Sequence, residues 1–254
     1  MRILFRTLIT ILMGAYCLAA SLLYVYQDQF LYYPTSEPKL VNATAFSVQQ
    51  ETKVLRGWVI NPGKKQALMY FGGNAEQIDR NIETFKTVFS DYSVYLLNYR
   101  GYGSSDGQPS EKALLADALK FYDQIAEQYD SMSVIGKSLG SGVASYLAAS
   151  RKVEKLVLVT PYDSIEDVAQ QRFWMMPVNL ILRDKYKSVE WVKNLSTRTL
   201  VVMSEFDATI PRQHSLNLIA AFANILPEQY VVKGAQHNTI SNFREYYARI
   251  KQFL

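Results

Sequence analysis

The sequence predicts an α/β domain, a mostly parallel sheet with helices on both faces, behind an apolar N-terminal segment. Three observations carry this reading. Short, near-continuous apolar runs recur at Ala67–Phe71, Val94–Asn98, Met132–Ile135, Leu156–Val159, Leu200–Met203 and Tyr230–Val232. Runs of this kind fit strands buried on both faces of a parallel sheet. Amphipathic stretches lie between them, and strand–helix alternation in one continuous region gives a sheet layered between helices. Thr7 to Tyr26 is an uncharged run of twenty residues, about the length that crosses a hydrocarbon core.

Composition bounds the chemistry. The 254 residues are 49% apolar and 20% charged, a globular balance that excludes disorder and low-complexity arrays. A single Cys excludes an internal disulfide and a Cys-rich zinc site. Two His, His214 and His237, leave little for a His-based metal site, so neither a metal nor an organic cofactor is expected. Residues 27–254 hold 25 basic and 23 acidic side chains, too balanced for a nucleic-acid surface. No feature marks an obligate protein partner.

Arg2 and Arg6 precede the N-terminal run and Asp28 follows it. The positive-inside rule then puts residues 1–6 in the cytoplasm, 7–26 across the membrane and 27–39 outside as a juxtamembrane tether. Residues 40–254 form the extracytoplasmic domain, periplasmic in a Gram-negative cell. Tyr24, Tyr26, Phe30, Tyr32 and Tyr33 would form an aromatic belt at the outer interface. Small residues around Cys17, Ala19 and Ala20 leave open a cleavable signal peptide, which would give a secreted domain. The apolar run continues through Leu22, Leu23 and Val25, which favours retention. A helix of a cytosolic core is the third reading.

Phe46–Glu51 and Val54–Ile60 read as an opening pair of strands, with a turn at Asn61-Pro62-Gly63. Ser110 can cap a helix whose stripe is Leu115, Ala118, Leu119, Tyr122, Ile125 and Tyr129. Leu139, Val143 and Leu147 give a second stripe. Phe243, Tyr247, Ile250 and Phe253 give the last. The longest insertion lies between Pro161 and Leu200, with a short cap at about 162–195. Its apolar residues, Phe173 to Pro177 and Leu180 to Leu182 among them, suit either a lid over the site or a cap packed on the core.

Ligands of such sheets sit beyond the carboxyl ends of the strands. After Met132–Ile135 comes Gly136-Lys137-Ser138-Leu139-Gly140, G-x-S-x-G between a strand and a helix. A sharp turn there lifts Ser138 above the sheet as a candidate nucleophile, with Gly136 and Gly140 making room for the elbow. A hydroxyl needs a base, and His237 follows Tyr230–Val232. The acid that orients His237 must come from another strand end. Asp207 follows Leu200–Met203 and keeps the order Ser, Asp, His; Asp163, after Leu156–Val159, competes with it. Glu205 and His214 read as solvated. An oxyanion hole needs two backbone amides. Leu139 supplies one, and Asn74, in Gly72-Gly73-Asn74-Ala75 after Ala67–Phe71, supplies the other.

These motifs, together with Gln29-Phe30-Leu31-Tyr32-Tyr33-Pro34, Asn98-Tyr99-Arg100-Gly101-Tyr102-Gly103, Pro109-Ser110-Glu111 and Gly234–Asn238, make the chain resemble the α/β-hydrolase fold. The similarity is to serine hydrolases of the Bem46/ABHD13/ABHD17-like group, over roughly residues 28–254. The resemblance implies a membrane-anchored hydrolase of acyl esters or thioesters, with a lipid or small-molecule ester as substrate. That group usually has His-Gly-Asn-Ala where this chain has Gly72 to Ala75, so the Asn74 amide is expected to remain while the support that the His gives the loop is missing. A peptidase or amidase with the same Ser138, His237 and Asp207 is an alternative, as is a catalytically silent binding protein of the same fold.

Overall fold

The structure is a computed structural model and describes residues 2–36 and 42–254. The end of the expected tether, and residue 40 where the domain was expected to start, lie outside the described residues. Helix α1 (Arg2–Leu31) comes first, followed by β1 (Thr44–Gln50), β2 (Lys53–Ile60) and β3 (Gln66–Phe71). Then come α2 (Ile82–Val88), β4 (Tyr92–Leu97), α3 (Glu111–Ile125), β5 (Ser131–Lys137), α4 (Leu139–Ser150) and β6 (Lys155–Val159). Three short helices follow, α5 (Ile165–Arg172), α6 (Val178–Ile181) and α7 (Ser188–Val192). The chain closes with β7 (Arg198–Phe206), α8 (Arg212–Ala220), β8 (Glu228–Gln236) and α9 (Arg244–Phe253).

Among the described residues, eight strands form one sheet in the order β1-β2-β4-β3-β5-β6-β7-β8. β2 pairs antiparallel with β1 and β4, and the remaining pairings are parallel. Alternate residues of each central strand feed opposite layers, as the pleat requires. Ala67, Met69 and Phe71 of β3 pack with α3 and α4, while Leu68 and Tyr70 pack with α2 and α9. This double burial explains why the strands read as unbroken apolar runs.

Ser110 caps α3, its hydroxyl accepting from the Ala113 amide at 3.3 Å. The buried stripe of α3 is centred on Leu114, Ala118, Phe121 and Ile125. Leu115 and Leu119 flank it instead of leading it, and Tyr129 lies beyond the helix. Two adjacent apolar rows satisfy the same period, and the sheet selects the row with Phe121. In α9, likewise, Tyr246 is buried with Ile250 and Phe253, while Tyr247 is half-buried at the margin.

α1 is 30 residues long, about 45 Å at 1.5 Å per residue. Its best window has a mean hydropathy of 2.1, so it is long and apolar enough to cross a membrane. The helix runs past Tyr26 and docks on the β6–β7 insertion. Gln27 is buried and bonded to the Ile181 carbonyl and the Arg183 amide, and Arg183 pairs with Asp28 at 2.8 Å. Tyr32 corrects the expected aromatic belt. It is 3% exposed and donates to Asp184, with the Tyr186 hydroxyl 2.9 Å away. The other four belt residues are exposed.

The insertion divides. Val192 of α7 is buried in the core and Trp191 packs edge-on against Tyr146, whereas α5 and α6 face α1 and leave Trp174, Met175 and Leu180 exposed. His214 is corrected as well, because it is buried in α8, not solvated. Its ring nitrogens lie 2.7 Å from Asp163 Oδ1 and 2.6 Å from Gln171 Oε1. Burial opposes ionisation of Asp163, but His214, Asn217 and the Ser164 amide hold its carboxyl below the ordinary aspartate value.

Phe121 is fully buried, with the rings of Phe46, Tyr95 and Phe71 around it. Phe121→Ala is expected to cost about 3–5 kcal/mol, read as a lowered denaturant midpoint of the solubilised protein. A loss under about 1 kcal/mol would contradict this packing.

Candidate active site

Ser138 stands between β5 and α4 with φ 51° and ψ −117°. Non-glycine residues rarely adopt positive φ, and such strain costs about 1–3 kcal/mol. Hydrogen bonds hold the corner from both sides. The Ser138 amide donates to the Val159 carbonyl, and the Ser138 carbonyl accepts from the Ser141 amide and hydroxyl. The two glycines of the motif serve close approach. A Cβ on Gly136 would sit 2.3 Å from the Gly140 carbonyl oxygen, and one on Gly140 would sit 2.1 Å from that of Phe71. Their absence lets the first turn of α4 pack against the ends of β5 and β3.

His237 follows β8 and is 7% exposed. Its Nε2 lies 2.9 Å from Ser138 Oγ and its Nδ1 lies 2.7 Å from Asp207 Oδ2. Asp207 follows β7, whose register shifts between Ser204 and Phe206. Its other oxygen accepts from the Thr209 and Ile210 amides at 3.0 and 2.8 Å. Those bonds fix the carboxylate and leave Oδ2 aimed at His237. Asp163 therefore does not reach His237, since its carboxylate is taken by His214, Asn217 and the Ser164 amide. Glu205 is exposed, as expected, and accepts from the Gly234 amide. A serine hydroxyl, an imidazole and a carboxylate in series can move a proton off the hydroxyl as its oxygen attacks.

The Asn74 and Leu139 amides donate to no protein acceptor among the described residues. Asn74 and Leu139 line the same cavity as Ser138, of about 510 Å³. Two unengaged N–H groups beside a hydroxyl can hold an oxyanion, and one of them opens a helix whose dipole favours negative charge.

Sequence reasoning missed what supports the Gly72–Ala75 loop. Glu76 accepts from the Gly73 amide, the Tyr70 hydroxyl and the Asn81 side chain, and pairs with Lys137 at 3.4 Å. Burial acts most strongly on its carboxyl and would raise its pKa, but Lys137 and these donors together lower it below the ordinary 4.5. The Asn74 side chain donates to the Leu31 carbonyl and accepts from the Tyr33 amide and the Tyr102 hydroxyl. Tyr99 donates to the Gly72 carbonyl. A Cβ on Gly72 would meet Ile78 at 2.7 Å, so this chain braces the loop from Glu76 and the tyrosines. Opposite charges at Glu76, after β3, and Lys137, at the end of β5, were the available signal. Only the β3–β5 pairing of Phe71 with Gly136 makes them neighbours.

The Glu76 carboxyl titrates lower when folded than when unfolded, so the folded state binds fewer protons at acid pH. Its contribution to stability is complete above the unfolded pKa and is lost as pH falls through the folded one. Glu76→Gln should therefore flatten the loss of stability between about pH 5 and about pH 3, measured as denaturant midpoints. An acid limb as steep as that of the wild type would contradict the assignment.

Comparison with known proteins agrees with this architecture. A family model described as serine aminopeptidase, S33, matches residues 62–188, half of the chain. An uncharacterized protein of Mycobacterium tuberculosis is 30% identical over 228 residues, covering 84% of this chain and 80% of that protein. Alpha/beta hydrolase domain-containing protein 17B of Xenopus tropicalis is 26% identical over 200 residues, covering 76% of this chain and 68% of its own. Among solved structures, the Pyrococcus furiosus esterase Pf2001 superposes with a TM-score of 0.65 at 18% identity, covering 87% of this chain and 98% of that one. The sheet order, the strand-end placement of the site and these matches together make the chain a member of the α/β-hydrolase superfamily.

Proposed function

We propose that the protein is a membrane-anchored serine hydrolase that cleaves carboxylic esters or thioesters through an acyl-enzyme. The observation that carries the reading is the Ser138–His237–Asp207 chain, with contacts of 2.9 and 2.7 Å, beside two unengaged amides.

The reaction follows from these positions. Ser138 Oγ attacks the carbonyl carbon while its proton passes to His237 Nε2. Asp207 holds the Nδ1 side of the ring and offsets the imidazolium charge. The Asn74 and Leu139 amides bind the tetrahedral oxyanion. The intermediate collapses, the bond to the leaving oxygen or sulfur breaks, and His237 protonates that atom. Water then attacks the acyl carbon with His237 as base, which releases the acid and restores the Ser138 hydroxyl.

The family description names an aminopeptidase, and a peptidase acting through the same residues is the second reading. An aminopeptidase needs an anion for the substrate's terminal ammonium. Among the described residues lining the cavity over Ser138, Arg172 is the only charged one, and the rest are mainly apolar. That lining favours an acyl ester over a peptide N-terminus. For the setting, Arg2 and Arg6 on the N-terminal side of α1 support an anchor with a cytoplasmic N-terminus and an extracytoplasmic domain.

Ser138→Ala should abolish hydrolysis of p-nitrophenyl esters, and Asp207→Asn should lower kcat by about 10⁴-fold. Asp163→Asn should lower the melting temperature and leave a far smaller effect on kcat, and the reverse ranking would overturn the choice of Asp207. A panel of esters against amino-acid p-nitroanilides separates the two substrate readings. Externally added protease should digest the domain in spheroplasts, and protection would reverse the topology.

A further inference from the structure

Two cavities share a wall between α1 and the cap. The one over Ser138 and a smaller one of about 110 Å³ are both bounded by Phe30 and Leu31 of α1 and by Ala169 and Phe173 of the cap. The smaller cavity does not touch Ser138, and it reaches Leu23 on the helix and Leu182 on the cap. Leu23 lies eight residues before Leu31, about 12 Å back along the helix axis towards the apolar run. The lining is apolar except for Gln27, whose amide is already bonded to the Ile181 carbonyl and the Arg183 amide.

The cap tip points the same way. Trp174 and Met175 are 76% and 63% exposed. The Tyr16 hydroxyl donates to the Met175 carbonyl at 2.9 Å, so the tip lies beside the middle of the uncharged run. Exposed apolar surface of this kind marks an interaction site, and beside a spanning helix the partner is lipid.

The geometry points to a substrate that is a membrane-resident lipid ester, whose acyl chain reaches Ser138 through the groove between α1 and the cap. This inference rests on the serine-hydrolase reading above and adds the substrate class and the route. The anchor helix is then one wall of the acyl site. A chain leaving the outer leaflet meets Leu23 first and the Phe30–Leu31 wall next, and its carbonyl arrives beside Ser138 without crossing water. Each methylene so buried favours binding by up to about 4-fold.

The test uses the full chain in lipid nanodiscs, with p-nitrophenyl butyrate and p-nitrophenyl palmitate as substrates. Wild type should favour palmitate in kcat/KM by at least about 10-fold. Leu23→Trp and Leu182→Trp fill the groove from opposite walls. Each should lower the palmitate-to-butyrate ratio by about 10-fold or more, and melting curves establish that each variant is folded. If one variant fails to fold, the other wall decides. A wild-type profile indifferent to chain length, or a ratio unmoved in the folded variants, overturns the groove while leaving the serine-hydrolase reading intact. A folded wild type that cleaves neither ester overturns that reading itself.

Discussion

The site depends on one backbone corner. Ser138 takes a positive φ that its side chain disfavours, and the corner persists because its neighbours leave no alternative path. Without side chains at Gly136 and Gly140, the N-terminus of α4 sits against β3 and β5, and the Ser138 amide and carbonyl both find partners. The strain is local, and the hydrogen bonds that hold it come from β6 and α4. Relaxing the corner would move Ser138 Oγ away from His237 and the Leu139 amide away from the cavity together.

The second fixed body is the loop after β3. A buried carboxylate stabilises a fold only when its oxygens are well satisfied, and Glu76 has donors on both, with Lys137 beside them. Lys137 is the residue before Ser138, so the ion pair ties the loop after β3 to the end of β5, just before the proposed nucleophile. Asn74 adds a tie in another direction, because its side chain grips the Leu31 carbonyl and the Tyr33 amide at the end of α1. One residue thus lines the cavity over Ser138 and holds the end of α1 through its side chain.

The central strands β3 to β7 were legible because burial on both faces leaves an apolar run. Ser138, Asp207 and His237, which the structure brings together, were read from their places after apolar runs, although β8 before His237 is a half-buried edge strand. What stayed hidden depends on neighbours that only the fold supplies. His214 looked solvated because it lies in an amphipathic stretch after Pro211, yet Asp163 and Gln171 satisfy both ring nitrogens and allow it to be buried. Tyr32 looked interfacial because it follows a candidate span, yet Asp184 and Tyr186 take its hydroxyl inside the domain. The α3 stripe slipped by one position because two apolar rows shared its period. In each case a partner from distant sequence, a polar side chain or the sheet itself, decided the outcome.

These constraints bear on the proposed role of Ser138 as nucleophile, with α1 built into the same framework. Fluorophosphonate labelling followed by peptide mass spectrometry tests that claim most directly. A single adduct is expected on the peptide carrying Ser138, absent in Ser138→Ala and strongly slowed in His237→Ala. A folded wild type that takes no label, or a label that persists in Ser138→Ala, would contradict it.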